Sequence, residues 1–226
     1  MGRRIIKNLK FIKECILSVI YTSDQKCIIC KSELYDDEVI CSNCKENIKF
    51  CKSGFYIGEF GKEYNAYSAA YYSKTIMELI IGLKYKSNFE AGRLLAKYMV
   101  NTININHIDF DYITYVPMTK SSLRNRGYNQ SAYLSKVISD KLDIPVIDCL
   151  KKVKSTKDQI GLNGKQRWMN MKNSFKYISG YNINGKNILI VDDVITTGAT
   201  AYYCAEELKK NGARKIKILT AAKSRV

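Results

Sequence analysis

Short apolar runs alternate with amphipathic segments along most of the chain, which is the pattern of an α/β fold. The clearest run, Ile188-Leu189-Ile190-Val191, has no polar residue and predicts a strand buried on both faces of a mainly parallel sheet. Further strands are predicted at residues 112–116, 145–147, 175–177 and 214–220, with one or two more within 50–73. Helical apolar spacing predicts flanking helices at residues 74–86, 89–102 and 201–208 and around 134–138.

The N-terminal part of the chain differs from this pattern. Residues 2–21 carry Ile and Leu at helical spacing on one face and mostly basic residues on the other, which predicts an amphipathic helix. Such a helix either packs against the rest of the protein or lies on a membrane surface. We expect a domain junction near Ser53-Gly54, which divides the chain into an N-terminal region at 1–53 and an α/β domain at 54–226.

Half of the eight cysteines form two C-x-x-C pairs, and ten residues separate the pairs. Two residues between thiolates let both reach one ion, and the intervening segment is long enough to form a hairpin. This pattern predicts a closed structural Zn²⁺ site, with an iron–sulfur cluster or two redox dithiols as alternatives. Cys51 has no partner at this spacing and is expected to be a spare thiol. The predicted metal ligands are Cys27, Cys30, Cys41 and Cys44.

The chain has 37 Lys and Arg against 21 Asp and Glu, a formal net charge of +16. This excess favours a polyanionic partner, although a general enrichment in Lys, Ile, Asn and Tyr also raises the count. Lys13 and Glu14 interrupt the apolar residues of the N-terminus, so we expect no signal peptide. No run is long and apolar enough to predict a membrane span. The cysteine pattern suits a reducing compartment, and we therefore expect a cytoplasmic protein.

Two adjacent carboxylates, Asp192 and Asp193, follow the buried strand, and the segment Thr196–Thr200 then leads into a helix. Small hydroxyl residues and glycine at a helix start leave backbone N–H groups free to bind an anion. The two acids suit sugar hydroxyls or Mg²⁺. The sequence of this loop therefore predicts a phosphate site beside a carboxylate pair.

A second set of cations follows the strand at 112–116. Arg124, Arg126 and Gly127 lie in a predicted strand-to-helix loop, and guanidinium groups beside a closely approaching backbone suit pyrophosphate. Residues 151–176 form a predicted basic loop whose eight Lys and Arg against one Asp give +7. This loop is expected to be a lid over the phosphates or a surface for nucleic acid.

The stretch Asn187–Thr200, NILIVDDVITTGAT, resembles the phosphoribosyl-pyrophosphate (PRPP) signature of type I phosphoribosyltransferases. The resemblance implies a fold with a mainly parallel sheet flanked by helices. It also implies that Asp192 and Asp193 are the catalytic pair and bind the ribose hydroxyls. The implied 5′-phosphate ligands are Thr196, Thr197, Gly198, Ala199 and Thr200.

The order of motifs along the whole chain resembles the ComF competence proteins of the ComFC type. The zinc knuckles are followed by LKYK, then P-x6-R-x-R-G-Y-N-Q, then K-x4-Q-x2-L-x4-R-x2-N, then VDDVITTGAT. On residue type alone, Lys84 of LKYK only complements the end of a helix. From these motifs the implied pyrophosphate or substrate ligands are Lys84, Arg124, Arg126, Gly127, Asn129, Gln130, Lys154, Gln159 and Arg167.

The resemblance implies a function in the uptake of DNA during natural transformation. The implied partners are PRPP with Mg²⁺, single-stranded DNA, a competence DNA helicase and single-strand-handling proteins. The alternative is an active phosphoribosyltransferase of nucleotide or base metabolism without a DNA role. The sequence leaves open the acceptor of the phosphoribosyl group, turnover itself and the oligomeric state.

Overall fold

The computed structural model describes residues 26–35, 38–59, 61–154, 168–169 and 171–224. The predicted helix at 2–21 lies outside the described residues. The chain divides into two compact units between Glu46 and Asn47. The junction that we predict near Ser53-Gly54 stays a prediction.

The described part of the N-terminal unit is small. An antiparallel bridge joins Lys26 to Glu33, and a single short helix, α1, spans Ser42–Glu46. Its buried apolar residues are few, with Cys27, Leu34, Ile40 and Cys44 among them. Because the described part of this unit buries so few apolar side chains, a bound metal would add substantially to its stability.

The second unit contains a five-stranded sheet in the order β1-β2-β7-β6-β3. Strands β2, β7, β6 and β3 are parallel, and β1 is antiparallel to β2 at one edge. Two further strands, β4 and β5, form a separate antiparallel pair. The strands are β1 (Phe55–Glu59), β2 (Lys62–Tyr71), β3 (Tyr112–Tyr115), β4 (Leu150–Lys152), β5 (Phe175–Tyr177), β6 (Asn187–Ile195) and β7 (Lys215–Lys223).

Five described helices belong to this unit, and three of them pack directly on the strands of the sheet. Helix α6 packs on β6 and β7, where it shares a buried cluster with Ile188 and Ile190. Helices α3 and α5 pack on β2, β7, β6 and β3, and α2 packs on α3. The helices are α2 (Lys74–Tyr85), α3 (Phe89–Ile105), α4 (Lys120–Arg126), α5 (Gln130–Leu142) and α6 (Ala199–Lys210).

The α/β fold class is confirmed, and the predicted buried strand forms the centre of β6. Residues 188–191 are at most 1% exposed, because helices cover both faces of the sheet.

Two local predictions are wrong. Residues 145–147 form only one parallel bridge, Ile113 to Val146, since Pro145 has no N–H to extend a ladder. The predicted loop after β3 contains α4, because the Thr119 hydroxyl caps it by accepting from Ser122 N at 3.1 Å.

The buried face of α5 generates a stability prediction. Ile138 is 0% exposed, so Ile138→Ala leaves a cavity and is expected to lower the free energy of unfolding by about 2–5 kcal/mol. The matched control is Ile105→Ala at the end of α3, where the side chain is 71% exposed and a change below about 1 kcal/mol is expected. Urea unfolding measures both, and equal losses would contradict the packing described here.

Candidate phosphate and ribose site

The candidate site lies where β6 and β3 end, because the carboxyl ends of parallel strands meet at one edge of the sheet. Strand β6 leads through residues 196–198 into α6, and β3 leads through residues 116–119 into α4. The end of α2 reaches the same place, since the Tyr128 hydroxyl donates to the Leu83 carbonyl. Three separate segments therefore converge on the aspartate pair.

Asp193 is buried, with 5% of its surface exposed, and it is compensated by a cation from α2. Lys84 Nζ lies 2.5 Å from Asp193 Oδ2, and the backbone N–H of Val194 donates to Oδ1 at 2.8 Å. Burial alone would lower the pKa of Lys84, but the charges of Asp193 and Asp192 outweigh it and raise that pKa. Lys84 therefore stays charged and holds Asp193 in place.

Asp192 is held by donors rather than by a direct cation contact. The Ser131 hydroxyl donates to Asp192 Oδ1 at 2.8 Å, and the backbone N–H of Asp193 donates to the same atom at 2.9 Å. Burial, and then the neighbouring charge of Asp193, raise the pKa of Asp192 to about 7. A cation or a hydroxyl donor placed against Asp192 would favour its charged form.

The loop after β6 requires glycine at one position. Gly198 has φ +82°, in the left-handed region, where it directly precedes α6. A Cβ atom there would also lie 3.0 Å from Ile57 Cγ2. The loop encloses a cavity of about 50 Å³, lined by Asp192, Thr220 and residues 194–201. The structure therefore brings Thr196, Thr197, Gly198, Ala199 and Thr200 together beside the aspartate pair.

The cations after β3 lie on α4, near the end of α2. Arg126 donates to Gln130 Oε1 at 2.6 Å, and its guanidinium lies 5.2 Å from the centre of the Tyr85 ring. Arg126 also shares a cavity of about 310 Å³ with Lys84 and Tyr85. Arg124 is exposed. Lys84 and Arg126 thus stand beside each other next to the carboxylates.

Three of the predicted substrate ligands also shape the backbone of this loop. Gly127 has φ +84° and ends α4. The Asn129 side chain accepts from Ser131 N at 2.8 Å and donates to the Val116 carbonyl at 3.0 Å, so it caps α5 and ties the helix to the end of β3. Gln130 is 7% exposed and orients Arg126.

The remaining predicted ligands are only partly described. Lys154 lines a cavity of about 740 Å³ between the loop after β3 and the segment around β4. Gln159 and Arg167 lie outside the described residues. The predicted basic loop at 151–176 is not wholly a loop, since its ends pair as β4 and β5.

Sequence reasoning missed three residues of this site. Ser131 bonds to Asp192, and Thr220 of β7 lines the cavity of the Thr196–Thr200 loop. Lys152 of β4 lies close enough to Asp192 for their charges to interact. Burial lowers the pKa of Lys152, and the nearby Cys204 and Asp192 oppose that effect. Ser131 directly follows the R-x-R-G-Y-N-Q motif, which is the one available signal. Nothing local marks the other two.

The four predicted metal ligands come together in the N-terminal unit. The Sγ atoms of Cys27, Cys30, Cys41 and Cys44 all lie within 4.8 Å of one another. Tetrahedral zinc with Zn–S bonds of about 2.3 Å requires S–S separations of about 3.8 Å, and the Cys30–Cys41 separation is 3.6 Å. The cluster is therefore a group of thiols that could hold one metal ion.

A family model decides the class of the second unit. The model described as "Phosphoribosyl transferase domain" matches residues 129–225, which include Ser131, both aspartates and residues 196–200. This part of the chain is similar to phosphoribosyl transferase domains. The predicted type of fold is thereby confirmed, and the aspartate pair lies within the matched residues, whereas Lys84 and Arg126 lie before them.

Similarity to curated proteins extends beyond the phosphoribosyl transferase domain. The chain is 29% identical to Competence protein F of Haemophilus influenzae over 88% of this chain and 97% of that protein. It is 26% identical to DNA utilization protein YhgH of Escherichia coli over 85% of this chain and 87% of that protein. With the four-cysteine cluster, these similarities confirm the predicted resemblance to the ComF family.

Among solved structures, adenine phosphoribosyltransferase from Thermoanaerobacter pseudethanolicus matches with a TM-score of 0.43 and 13% identity. That match covers 80% of this chain and 98% of the other. A similarity this distant carries no argument about the ligand. Within the described residues, no helix combines the length and apolar character that crossing a membrane requires.

The raised pKa of Asp192 generates a prediction about stability and pH. The folded protein holds this proton more tightly than the unfolded chain, so the stabilisation is complete below a pH of about 4 and is lost as the pH rises through about 7. Asp192→Asn removes this dependence. We therefore expect the variant to gain stability relative to wild type between pH 5 and pH 8, as measured by urea unfolding.

Asp109→Asn is the control, because Lys217 lowers the pKa of Asp109 and its titration lies below this window. Its stability difference from wild type should not change between pH 5 and pH 8. A constant difference for Asp192→Asn over the same range would contradict the raised pKa.

Proposed function

We propose that the protein is a cytoplasmic, PRPP-binding phosphoribosyltransferase-like protein that acts in DNA uptake and in the handling of incoming single-stranded DNA. The observation that carries the proposal is the compensated aspartate pair beside the Gly198 loop, in a chain similar to Competence protein F over nearly its whole length. The competence helicase and single-strand-handling proteins are the partners that this function requires.

The proposed binding mode assigns one part of PRPP to each segment of the site. The 5′-phosphate lies in the Thr196–Thr200 loop, where the N-terminus of α6 and its free N–H groups favour an anion. The ribose hydroxyls bond to Asp192 and Asp193. The pyrophosphate lies toward Arg126 and Lys84, with Arg124 nearby.

Magnesium is proposed as the ion that accompanies PRPP. The carboxylate oxygens of the aspartate pair are suitable donors, and the raised pKa of Asp192 indicates a carboxylate whose charge is not fully compensated. Bound Mg²⁺ would neutralise part of the pyrophosphate charge. Ser131 fixes the orientation of the Asp192 carboxylate, which would be one of the groups that hold the ion.

In a transfer reaction, the bond between C1′ of the ribose and the pyrophosphate oxygen breaks, and pyrophosphate leaves with the bonding electrons. Positive charge then develops at C1′, close to the proposed positions of Asp192 and Asp193. Carboxylates held in advance by Lys84 and Ser131 would stabilise that charge without rearranging. An acceptor nucleophile then forms the new bond to C1′.

The second candidate is an active phosphoribosyltransferase of nucleotide or base metabolism without a DNA role. The intact aspartate pair and phosphate loop favour it. The similarity to Competence protein F and YhgH favours the first function. The net charge of +16 also suits a polyanionic partner.

One prediction of this proposal concerns PRPP binding. Asp192→Asn with Asp193→Asn removes two charged hydrogen-bond acceptors for the ribose, each contributing about 1.5–3 kcal/mol, so PRPP affinity should fall by about 100-fold or more. Calorimetric titration of PRPP with Mg²⁺ into zinc-replete protein measures this. Asp140→Asn with Asp143→Asn is the matched control, since it removes the same charge around the end of α5. Equal PRPP affinity in the site variant and wild type would refute the assignment.

Another prediction of this proposal concerns zinc, which we propose as the structural ion of the four-cysteine cluster. Cys27→Ser or Cys41→Ser removes one of four thiolates, and each variant is expected to lose the bound zinc and the fold of its N-terminal unit. Metal analysis of purified protein measures the zinc content. Cys51→Ser should keep full zinc, because Cys51 lies outside the cluster. Full zinc retention in both cluster variants would rule the site out.

A further inference from the structure

The cavity of about 740 Å³ adjoins the aspartate pair without containing it. Asn129 and Ala132 line the cavity, and Ser131 between them donates to Asp192. Lys152 also lines the cavity and interacts electrostatically with Asp192. A ligand in this cavity would therefore lie next to a ribose held by the pair. The volume is typical of sites for small organic ligands, which run from about 300 to 1,000 Å³.

The lining combines apolar surface with positive charge. Four of the described lining residues are lysines, and Asp148 is the one acid among them. Asp148 is already engaged, because it accepts a hydrogen bond from the Tyr115 hydroxyl. Between the cations lie apolar side chains from both walls, including Met118, Leu123, Leu150 and Val153. The lysines are Lys120, Lys151, Lys152 and Lys154.

The paired strands β4 and β5 carry Lys151 and Lys152 of this lining and place two like charges opposite each other. Lys151 stands directly opposite Lys176 in the β4–β5 register. Like charges at directly opposed positions destabilise an antiparallel pair. An anion bound at Lys151 would offset part of this repulsion.

The environment of Lys152 also indicates a negatively charged ligand. Its ammonium lies 5.9 Å from the centre of the Phe175 ring, and burial lowers its pKa. A bound anion would oppose this effect of burial and favour the charged form of Lys152. The apolar side chains and the four lysines of the cavity together favour a ligand that has an apolar part and negative charge.

We propose that this cavity binds one nucleotide unit of a single strand of DNA, with the base against the apolar wall and the flanking phosphates at Lys120, Lys151 and Lys154. The inference rests on the DNA-handling function proposed above and names the part of the domain that contacts the strand. Lys120 belongs to the start of α4 and Lys151 to β4, so cations come from both walls. A strand supplies phosphates on both sides of a base, which a mononucleotide does not.

The experiment uses the full-length, zinc-replete protein and a short oligothymidylate as the probe. Lys120→Gln with Lys151→Gln removes one cation from each wall, and both side chains are exposed, so the fold should be kept. We expect oligothymidylate affinity to fall about tenfold or more. The slope of log K against log salt should drop by about 0.7 for each phosphate that the variant no longer neutralises. PRPP affinity is expected to stay within twofold of wild type.

The matched control is Lys172→Gln with Lys210→Gln. These lysines are exposed and line a different cavity, next to Glu206 and Glu207. The control removes the same charge and should leave oligothymidylate affinity nearly unchanged. Equal losses in the two double variants would show attraction to general surface charge and would overturn the proposal, as would wild-type affinity in Lys120→Gln with Lys151→Gln.

Two further measurements distinguish a DNA strand from a mononucleotide and the DNA-binding function from PRPP binding. Thymidine should bind far more weakly than the oligothymidylate, and dTMP binding as tightly as the oligothymidylate would overturn the assignment to a strand. Oligothymidylate binding that depends on Lys120 and Lys151, in a protein that does not bind PRPP, would support this inference and refute the PRPP site. A protein that binds PRPP, but whose oligothymidylate binding does not depend on Lys120 and Lys151, would support the PRPP site and refute this inference.

Discussion

The ion pair between Lys84 and Asp193 is the interaction on which the rest of the site depends. Two adjacent carboxylates at the end of a buried strand repel each other and lose hydration, and a buried carboxylate without a partner is strongly destabilising. Lys84 comes from the end of α2 and compensates Asp193 at 2.5 Å. Asp192 relies on Ser131 and on a backbone N–H, and its raised pKa reflects this weaker compensation.

This requirement explains why three distant segments converge at one edge of the sheet. The Tyr128 hydroxyl holds the end of α2 against the loop that carries Arg126, and Asn129 ties the same loop to the end of β3. The cations gathered by these interactions then surround the position next to the carboxylates. The same interactions that stabilise the fold therefore also assemble the candidate site.

The features that could be predicted from the sequence are the local ones. The apolar run at 188–191, the paired cysteines and the carboxylate pair each lie within a few residues, and their chemistry follows from residue type and spacing. Lys84 is different, since its residue type indicates only a charge at a helix end. Its ion pair with Asp193 joins positions more than a hundred residues apart, so no local pattern encodes it.

The predictions that failed, and the residues that sequence reasoning missed, have the same physical origin. Residues 145–147 have strand-forming residue types, but Pro145 allows only one bridge to β3. The register of β4 and β5 determines which lysines face the cavity, and register depends on pairing between segments more than twenty residues apart rather than on local propensity. Thr220 reaches the Thr196–Thr200 loop only because β7 lies beside β6 in the sheet.

The central claim is that the compensated aspartate pair is a preformed PRPP site. Its most direct test is a double-mutant cycle on PRPP affinity with Lys84→Met, Asp193→Asn and the combination. The account predicts that the double variant loses less affinity than the two single losses add up to, with a coupling of about 1–3 kcal/mol, because each single change leaves its partner uncompensated. Strictly additive losses, or PRPP affinity unchanged in all three variants, would contradict it.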